Sequence, residues 1–507
     1  MIKPDGQILV IFGASGDLTK RKLLPSLYEL FARDMLPENF VILGVARTPF
    51  SDEEFRIQQK DNLKAFLKGK HPEAKQLDAF LERVHYLGFN SDEAAEYHLL
   101  VEKIAELRKA KDIPDHLIFY LATPPQKYGP IAEALRKSKL NKASEEGGWR
   151  RIIVEKPFGS SLETAQALNK QLCSIFDEED IYRIDHFLGK ETVQNILALR
   201  FANSVFEPLW NRNYIDYVEI TAVENMGIGT RGGFYDGVGT LRDMVQNHLA
   251  QLLAVTAMEP PAAFDASGFR NEVVKVYQSL TPLTGEDIRH SVVRGQYMAS
   301  EGRKGYREEE QVPALSRTET YLAMRLELNN WRWGGVPFYI RTGKQMPTKV
   351  SEIVIHFKSA PYSLFRCEGG TCPLPNRLVI RIQPNEGIVL RLGMKKPGEG
   401  FEVLPMDMDF SYAELGRLPT EDAYARLIED CIAGDPTLFI RSDAVESGWR
   451  FFDPILKYWQ DVPECPLYGY PAGSWGPLEA DSLVARQGAS WTNPCKNLTN
   501  THLYCEL

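Results

Sequence analysis

Between Tyr182 and Asn195 the chain reads Tyr-Arg-Ile-Asp-His-Phe-Leu-Gly-Lys-Glu-Thr-Val-Gln-Asn, which gathers a guanidinium (Arg183), a carboxylate (Asp185), an imidazole (His186) and an ammonium (Lys190). The pattern predicts a joint between a strand and a helix here. With the helix starting near His186, His186 and Lys190 stand four apart on one face. Two cationic donors beside a helix N-terminus make a cradle for a phosphate, because the backbone N–H groups and the dipole add to the same attraction. Asp185 comes just before, on the strand side, and should point elsewhere. The plain alternative is an Asp-His helix cap followed by a solvated lysine, so the rest of the chain has to decide.

A second cluster is Arg242-Asp243-Met244-Val245-Gln246-Asn247-His248. On an α-helix Asp243 and Asn247 share one face, and Met244 and His248 the neighbouring one. Among Val245, Leu249 and Leu252 a histidine is commonly a satisfied core residue. If Asp185 reaches His248, however, the two form a carboxylate–imidazole dyad in which the Asp fixes the tautomer and stabilises the imidazolium that forms when His takes a proton. That role predicts a rate that falls on the acid side, where the imidazole is protonated. A third cluster ends a predicted strand at Arg341-Thr342-Gly343-Lys344, with Lys349 beyond Pro347. These lysines either hold substrate oxygens or are loop cations.

Near the N-terminus the apolar run Ile8 to Phe12 leads into Gly13-Ala14-Ser15-Gly16-Asp17-Leu18, and Leu23, Leu24, Leu27, Leu30 and Phe31 then repeat at helical spacing. Strand, glycine turn and helix, in that order, build a dinucleotide site in which Gly13 and Gly16 let the backbone approach the pyrophosphate. Ser15 and Leu18 occupy the second and third glycine positions of the usual fingerprint, so the match is partial, and an ordinary strand-to-helix turn is the plain reading. Pro25 should kink the helix or delay its regular start. The next strand, Phe40 to Ala46, ends at Arg47 with no acid before Asp52. An Arg there suits the 2′-phosphate of NADP, where an acid would suit the 2′-hydroxyl of NAD. Lys156, at the end of the predicted strand Arg151 to Glu155, faces the crevice where such sheets bind ligands, and Pro157 permits a cis bond before it.

These groups need a scaffold. Apolar runs separated by helical patterns over residues 1–180 predict a doubly wound, parallel α/β domain, with 51–112 mostly helical. The second domain is assigned to 181–507, and beyond Phe201 the texture changes: Tyr214 to Val223, Thr320 to Asn329, Val336 to Thr342, Val350 to Lys358, Leu378 to Gln383 and Gly387 to Met394 read as strands with few helices between them. That predicts an α+β domain with a large, mainly antiparallel sheet covered by helices such as Leu241 to Met258. At 507 residues, two domains are the default. The net charge of −9 argues against a nucleic-acid or anionic-membrane partner. The sequence shows no signal-peptide pattern and no run of eighteen or more apolar residues, and seven cysteines, an odd number, suit a reducing compartment, so a cytoplasmic protein is expected. Cys367 and Cys372 have no second pair near them, and no metal site is expected.

The runs Gly13 to Lys20, Glu155-Lys156-Pro157-Phe158-Gly159, Tyr182 to Asn195, Arg242 to Leu249, Arg341 to Lys344 and Gly473-Ser474-Trp475-Gly476-Pro477 closely resemble the glucose-6-phosphate dehydrogenase family, in the family's order and over nearly the whole chain. The resemblance implies a Rossmann-like NADP domain and a substrate-binding, oligomer-forming second domain. It also implies oxidation of glucose 6-phosphate at C1 to the 6-phospho-1,5-lactone, at the entry to the oxidative pentose phosphate pathway. His248 resembles the family's general base and Asp185 its partner. His186 and Lys190 resemble residues that hold substrate phosphate and sugar, Glu224 and Asp243 acids that bind sugar hydroxyls, and Lys344 and Lys349 further substrate contacts. Lys156 resembles a residue between substrate and cofactor, while the Gly13–Leu18 turn (Gly13, Ser15, Gly16, Asp17, Leu18), Arg47 and Tyr120 resemble cofactor contacts. A homodimer or homotetramer is implied. Phe187 stands where many members have a phosphate-binding tyrosine, which implies a modestly higher KM. Val350 and Ile353 replace the basic residues of a second nucleotide site found in some animal members. Rival readings are another sugar oxidoreductase sharing the Glu-Lys-Pro segment, or an inactive NADP-binding regulator on the same fold.

Overall fold

The computed structural model describes residues 4–67, 73–144, 147–362, 364–367, 376–398, 400–412, 422–485 and 489–494. The chain forms two compact units. The first comprises Met1–Lys190 with Ala262–Arg270 and Glu421–Glu446, and the second comprises Glu191–Pro261, Asn271–Thr420 and Ser447–Leu507.

In the first unit six strands, β1 (Gln7–Phe12), β2 (Phe40–Ala46), β3 (Val84–Gly88), β4 (His116–Leu121), β5 (Trp149–Val154) and β6 (Ile181–Arg183), form one sheet in the order β3-β2-β1-β4-β5-β6. Every pairing is parallel. Helices cover both faces of such a sheet, so its strands must be apolar on both sides. That is why β1 and β2 stand out as unbroken apolar runs, with β1 buried throughout. The strand order reverses between β1 and β4, the place where a doubly wound sheet opens a ligand crevice. After the glycine turn the helix starts as a π turn (Thr19–Leu23) and becomes regular at Leu24–Ala32 with Pro25 in its first turn, where proline is tolerated.

Two expectations for this unit need correction. Residues 51–112 hold helices Asp52–Phe66 and Tyr97–Lys111, but β3 lies between them; it is only five residues long and half-buried, too short for a periodic signal. Residues 184–190 form a turn and not a helix, and the helix begins at Glu191. His186 and Lys190 are therefore not one helical turn apart.

In the second unit the strands are β7 (Ile215–Val223), β8 (Val292–Met298), β9 (Tyr321–Glu327), β10 (Pro337–Gly343), β11 (Val350–Phe357), β12 (Arg366–Cys367), β13 (Arg377–Gln383), β14 (Gly387–Lys395), β15 (Glu402–Ser411) and β16 (Tyr468–Pro471). They form one ten-stranded sheet, β12-β15-β14-β13-β11-β7-β10-β9-β8-β16. Most pairs are antiparallel, yet β7 and β10 at its centre run parallel. The helical pattern from Leu241 begins as a π-helix (Leu241–Leu249) and continues as α over Ala250–Ala257. Hydrogen bonds in a π-helix span five residues, so the faces assigned for an α-helix do not apply and Asp243 lies one bonding step from His248. Among the described residues no helix is long and apolar enough to cross a membrane.

Candidate active site

Each unit carries its own set of functional groups. In the first, β1 delivers Gly13 at its C-terminal end. Gly13 has φ +89°, and a Cβ built there would lie 2.3 Å from the carbonyl oxygen of Ala122. Only glycine fits. The turn is tied down by Gly13 N–H to Val45 O (2.9 Å), Gly16 N–H to Gly13 O (2.9 Å) and Thr19 Oγ1 to Gly13 O (3.2 Å). This bare backbone at the sheet's switch point fits a dinucleotide pyrophosphate. Ser15 and Leu18 are partly exposed in the turn, while the exposed Asp17 side chain pairs with Arg21 at 2.6 Å. Arg47 is exposed just past β2. Asp52, the first acid after it, is occupied: its Oδ1 accepts from Tyr86 N–H at 2.6 Å and its Oδ2 lies 2.9 Å from His85 Nδ1.

Tyr120 and Glu155, from neighbouring strands β4 and β5, meet in the floor of this half. The fully buried Tyr120 hydroxyl donates to Glu155 Oε1 at 2.6 Å. Tyr424, from the helix Ala423–Ala433, also hydrogen-bonds Glu155. Burial pushes the Glu155 carboxyl up to about 7, the Asp185 charge pushes the same way, and Tyr120 and Lys156 pull against both. Lys156 follows, half-buried, with a cis bond to Pro157.

This carboxyl has a pH consequence. Folded, Glu155 keeps its proton up to about pH 7, whereas its ordinary value is 4.5. Between those values the folded chain holds a proton that the unfolded chain has lost, so the contribution to stability is full below pH 4.5 and is lost as pH rises towards 7. Glutamine does not titrate, so the stability of wild type relative to Glu155→Gln should fall as pH rises across that window, by at most about 1.4 kcal/mol per pH unit. Denaturant unfolding at stepped pH measures it, and a difference that does not change with pH would contradict the assignment.

The loop after β6 presents the opening cluster. Asp185 is buried (1% exposed), and its Oδ1 accepts from the N–H of Phe187 at 3.0 Å. The local fold of the loop follows from Leu188 N–H to Asp185 O (3.0 Å), Lys190 N–H to Phe187 O (3.2 Å) and the close seat of Gly189, where a Cβ would lie 2.4 Å from Ala423 O. His186 lies parallel to the Tyr424 ring at 6.0 Å. The Lys190 ammonium stands 3.9 Å over the centre of the buried Phe187 ring. The aromatic face of Phe187 thus steadies the lysine. Arg183 takes no part in this loop's chemistry, because its guanidinium is buried and paired with Glu178 at 2.6 Å.

In the second unit the parallel pairing of β7 and β10 explains the site. Gly343 is registered with Val223, so the next residues, Lys344 and Glu224, leave the sheet side by side. The Lys344 ammonium, 7% exposed, pairs with Glu224, lies 3.4 Å from Asp243 Oδ2, and stands 5.4 Å from the centre of the Tyr235 ring. Its backbone is fixed by Lys344 N–H to Thr320 O (2.9 Å) and by the Tyr470 hydroxyl to Lys344 O (2.7 Å). A cation held between two partly exposed acids can exchange those partners for the hydroxyls of a polyol. His248 is buried (2% exposed) on the π-helix. The end of that helix is capped from outside: Arg200 donates to the carbonyls of Val255, Thr256 and Met258, and the indoles of Trp210 and Trp333 to Thr256 and Ala257. Lys349 is exposed just before β11 and is not one of the groups gathered around Lys344.

Sequence reasoning did not single out Glu155, Tyr424 or Tyr235. Glu155 could have been found, since an acid closing a buried strand is costly and has to be partnered. Tyr424 joins the first unit from more than two hundred residues away and left no local signal.

Residues 10–195 match the family model described as glucose-6-phosphate dehydrogenase, NAD binding domain, and residues 197–492 match glucose-6-phosphate dehydrogenase, C-terminal domain. The chain is 50% identical over 497 residues to the glucose-6-phosphate 1-dehydrogenase of Aggregatibacter actinomycetemcomitans, covering 97% of this chain and 98% of the relative. It is 47% identical over 506 residues to that of Treponema pallidum, covering 99% and 98%. A solved glucose-6-phosphate dehydrogenase in complex with its substrate glucose-6-phosphate aligns with a TM-score of 0.88 at 34% identity, over 97% of this chain and all of that one. Two consecutive family models and relatives at this identity, matched end to end, establish that the chain belongs to the glucose-6-phosphate dehydrogenase family.

Proposed function

We propose that the chain oxidises glucose 6-phosphate at C1 to 6-phosphoglucono-1,5-lactone with NADP as hydride acceptor. Family membership carries the reading, and the Lys344–Glu224–Asp243 group, built for a polyhydroxylated substrate, supports it. Bound NADP supplies the carbon, nicotinamide C4, that receives the hydride. His248 accepts the C1 hydroxyl proton as the C1–H electron pair departs, and Asp185 orients the imidazole and balances its charge. His186 and Lys190 hold the phosphate, Lys344, Glu224 and Asp243 hold sugar hydroxyls, Lys349 adds a cation on the approach, and Lys156 stands between sugar and cofactor. The Gly13–Leu18 turn would hold the pyrophosphate, with Tyr120 a further cofactor contact.

Arg47 selects NADP over NAD by meeting the 2′-phosphate. The commitment of Asp52 to Tyr86 and His85 supports this, because the first acid after β2 is already occupied and is not offered to a ribose 2′-hydroxyl. Initial rates of nicotinamide reduction test the whole reading: glucose 6-phosphate with NADP should far exceed glucose with NADP and glucose 6-phosphate with NAD. Turnover of glucose in preference to its phosphate would overturn it. In the same assay Phe187→Tyr, which adds a neutral donor and keeps the ring under Lys190, should lower the KM for the phosphate sugar by about two- to tenfold. An unchanged KM would contradict a phosphate-facing position 187.

The enzyme works as a homo-oligomer. Met406, Met408 and Phe410, alternating along β15, are 54%, 63% and 37% exposed, a row of apolar side chains of the kind an interface covers. Sedimentation as a monomer at micromolar concentration would contradict it. The odd number of cysteines, with Cys173, Cys431 and Cys465 free, supports a cytoplasmic location, which cell fractionation tests.

A further inference from the structure

We infer that Tyr86 is a positioning residue for the turn that carries Arg47, and through that turn for discrimination between NADP and NAD. The inference rests on the reading that Arg47 meets the 2′-phosphate. Arg47, Thr48 and Pro49 are all exposed between β2 and the helix Asp52–Phe66, and Pro49 has no N–H with which to brace the turn. Left to itself, such a turn would sample many conformations, and an arginine on it would reach an anion only at an entropic cost.

Strand β3 supplies the bracing from beneath. The Tyr86 hydroxyl donates to Thr48 O at 2.6 Å, with Ala46 O 3.4 Å away, so it holds the carbonyls on either side of Arg47. The hydroxyl is buried, and burial raises its pKa to about 12, which keeps the donor proton in place. The ring is fixed in turn, stacked on Phe55 at 4.5 Å and meeting Phe50 edge-on at 5.7 Å. At the far end of the turn the Tyr86 N–H binds Asp52 Oδ1 at 2.6 Å, and Ser51 and Glu54 close a capping box. Gly88, two residues on, completes the seat: a Cβ there would lie 3.2 Å from both Pro49 Cα and Thr48 O. One tyrosine thus grips the turn from its side chain and its backbone, and only the side-chain grip can be removed by mutation.

Tyr86→Phe deletes the hydroxyl and keeps the ring. Dissociation constants for NADP and NAD, measured by calorimetry on wild type, Tyr86→Phe, Arg47→Ala and the double variant, test the inference, with KM and kcat for both cofactors alongside. Tyr86→Phe should weaken NADP about three- to tenfold, the size of one lost hydrogen bond, and leave NAD binding and kcat unchanged. In the Arg47→Ala background it should no longer alter the NADP-to-NAD ratio. Equal weakening of both cofactors would show a merely structural role and overturn the proposal, as would no change in either. If Arg47→Ala shifts the ratio and Tyr86→Phe does not, the proposal fails alone. If Arg47→Ala leaves the ratio unchanged, the reading of Arg47 fails and the proposal with it.

Discussion

His248→Asn is expected to lower kcat for glucose 6-phosphate oxidation by about 10²–10⁴-fold, the usual worth of a positioned general base. Asparagine offers hydrogen-bonding groups of similar reach but cannot take up a proton near neutral pH. The fold should survive the change. His248 sits on a helix whose end is held by Arg200, Trp210 and Trp333, none of which depends on the imidazole. The KM for the phosphate sugar should move far less than kcat, because Lys190, Lys344 and Glu224 are untouched. Steady-state kinetics with a circular dichroism control would measure both, and a kcat within tenfold of wild type would remove His248 from the role of base.

Gly13→Ala should be the most damaging single methyl in the cofactor half. At φ +89° an L-residue pays about 1–2 kcal/mol for the left-handed backbone. The added Cβ also meets Ala122 O at 2.3 Å and Thr123 Cγ2 at 3.3 Å. Neither side yields easily, since Ala122 N–H is bonded to Phe12 O and Gly13 N–H to Val45 O, each at 2.9 Å inside the sheet. Forced overpacking of this kind costs a further 1–3 kcal/mol, roughly. The variant should therefore have a lower Tm and bind NADP at least about tenfold more weakly, since 1.4 kcal/mol of distortion at the turn is tenfold in affinity. Calorimetry and thermal unfolding would show it. Wild-type Tm and affinity would mean that the turn has more room than its backbone geometry indicates.

What could be read in the sequence was what local chemistry writes locally. β1 and β2 announce themselves because both their faces are buried, so the apolar run has no gaps. Gly13 and Pro25 announce the turn and the late start of the helix because each allows only a narrow range of backbone. The failures are equally physical. β3 is short and half-buried between two helices, so a helical pattern swamps it. The opening cluster looks like a helix start because Asp-His resembles a cap, yet Asp185 turns its carboxylate to the N–H of Phe187 and the helix waits until Glu191. The π-helix at Leu241–Leu249 has the composition of an α-helix, and its wider spacing changes which neighbours of His248 share its face. The parallel pairing of β7 and β10, which sets Lys344 beside Glu224, joins segments more than a hundred residues apart and has no local signature. The upward shift of the Glu155 carboxyl follows from burial, a tertiary property.

If hydride leaves C1 of glucose 6-phosphate for NADP, a label at C1 must travel with it. Single turnover of glucose 6-phosphate deuterated at C1, followed by mass spectrometry of the nucleotide, tests it most directly. One deuterium is expected in the NADPH and none at C1 of the lactone. NADPH formed without deuterium, or no reduction of NADP by this sugar phosphate at all, would contradict it.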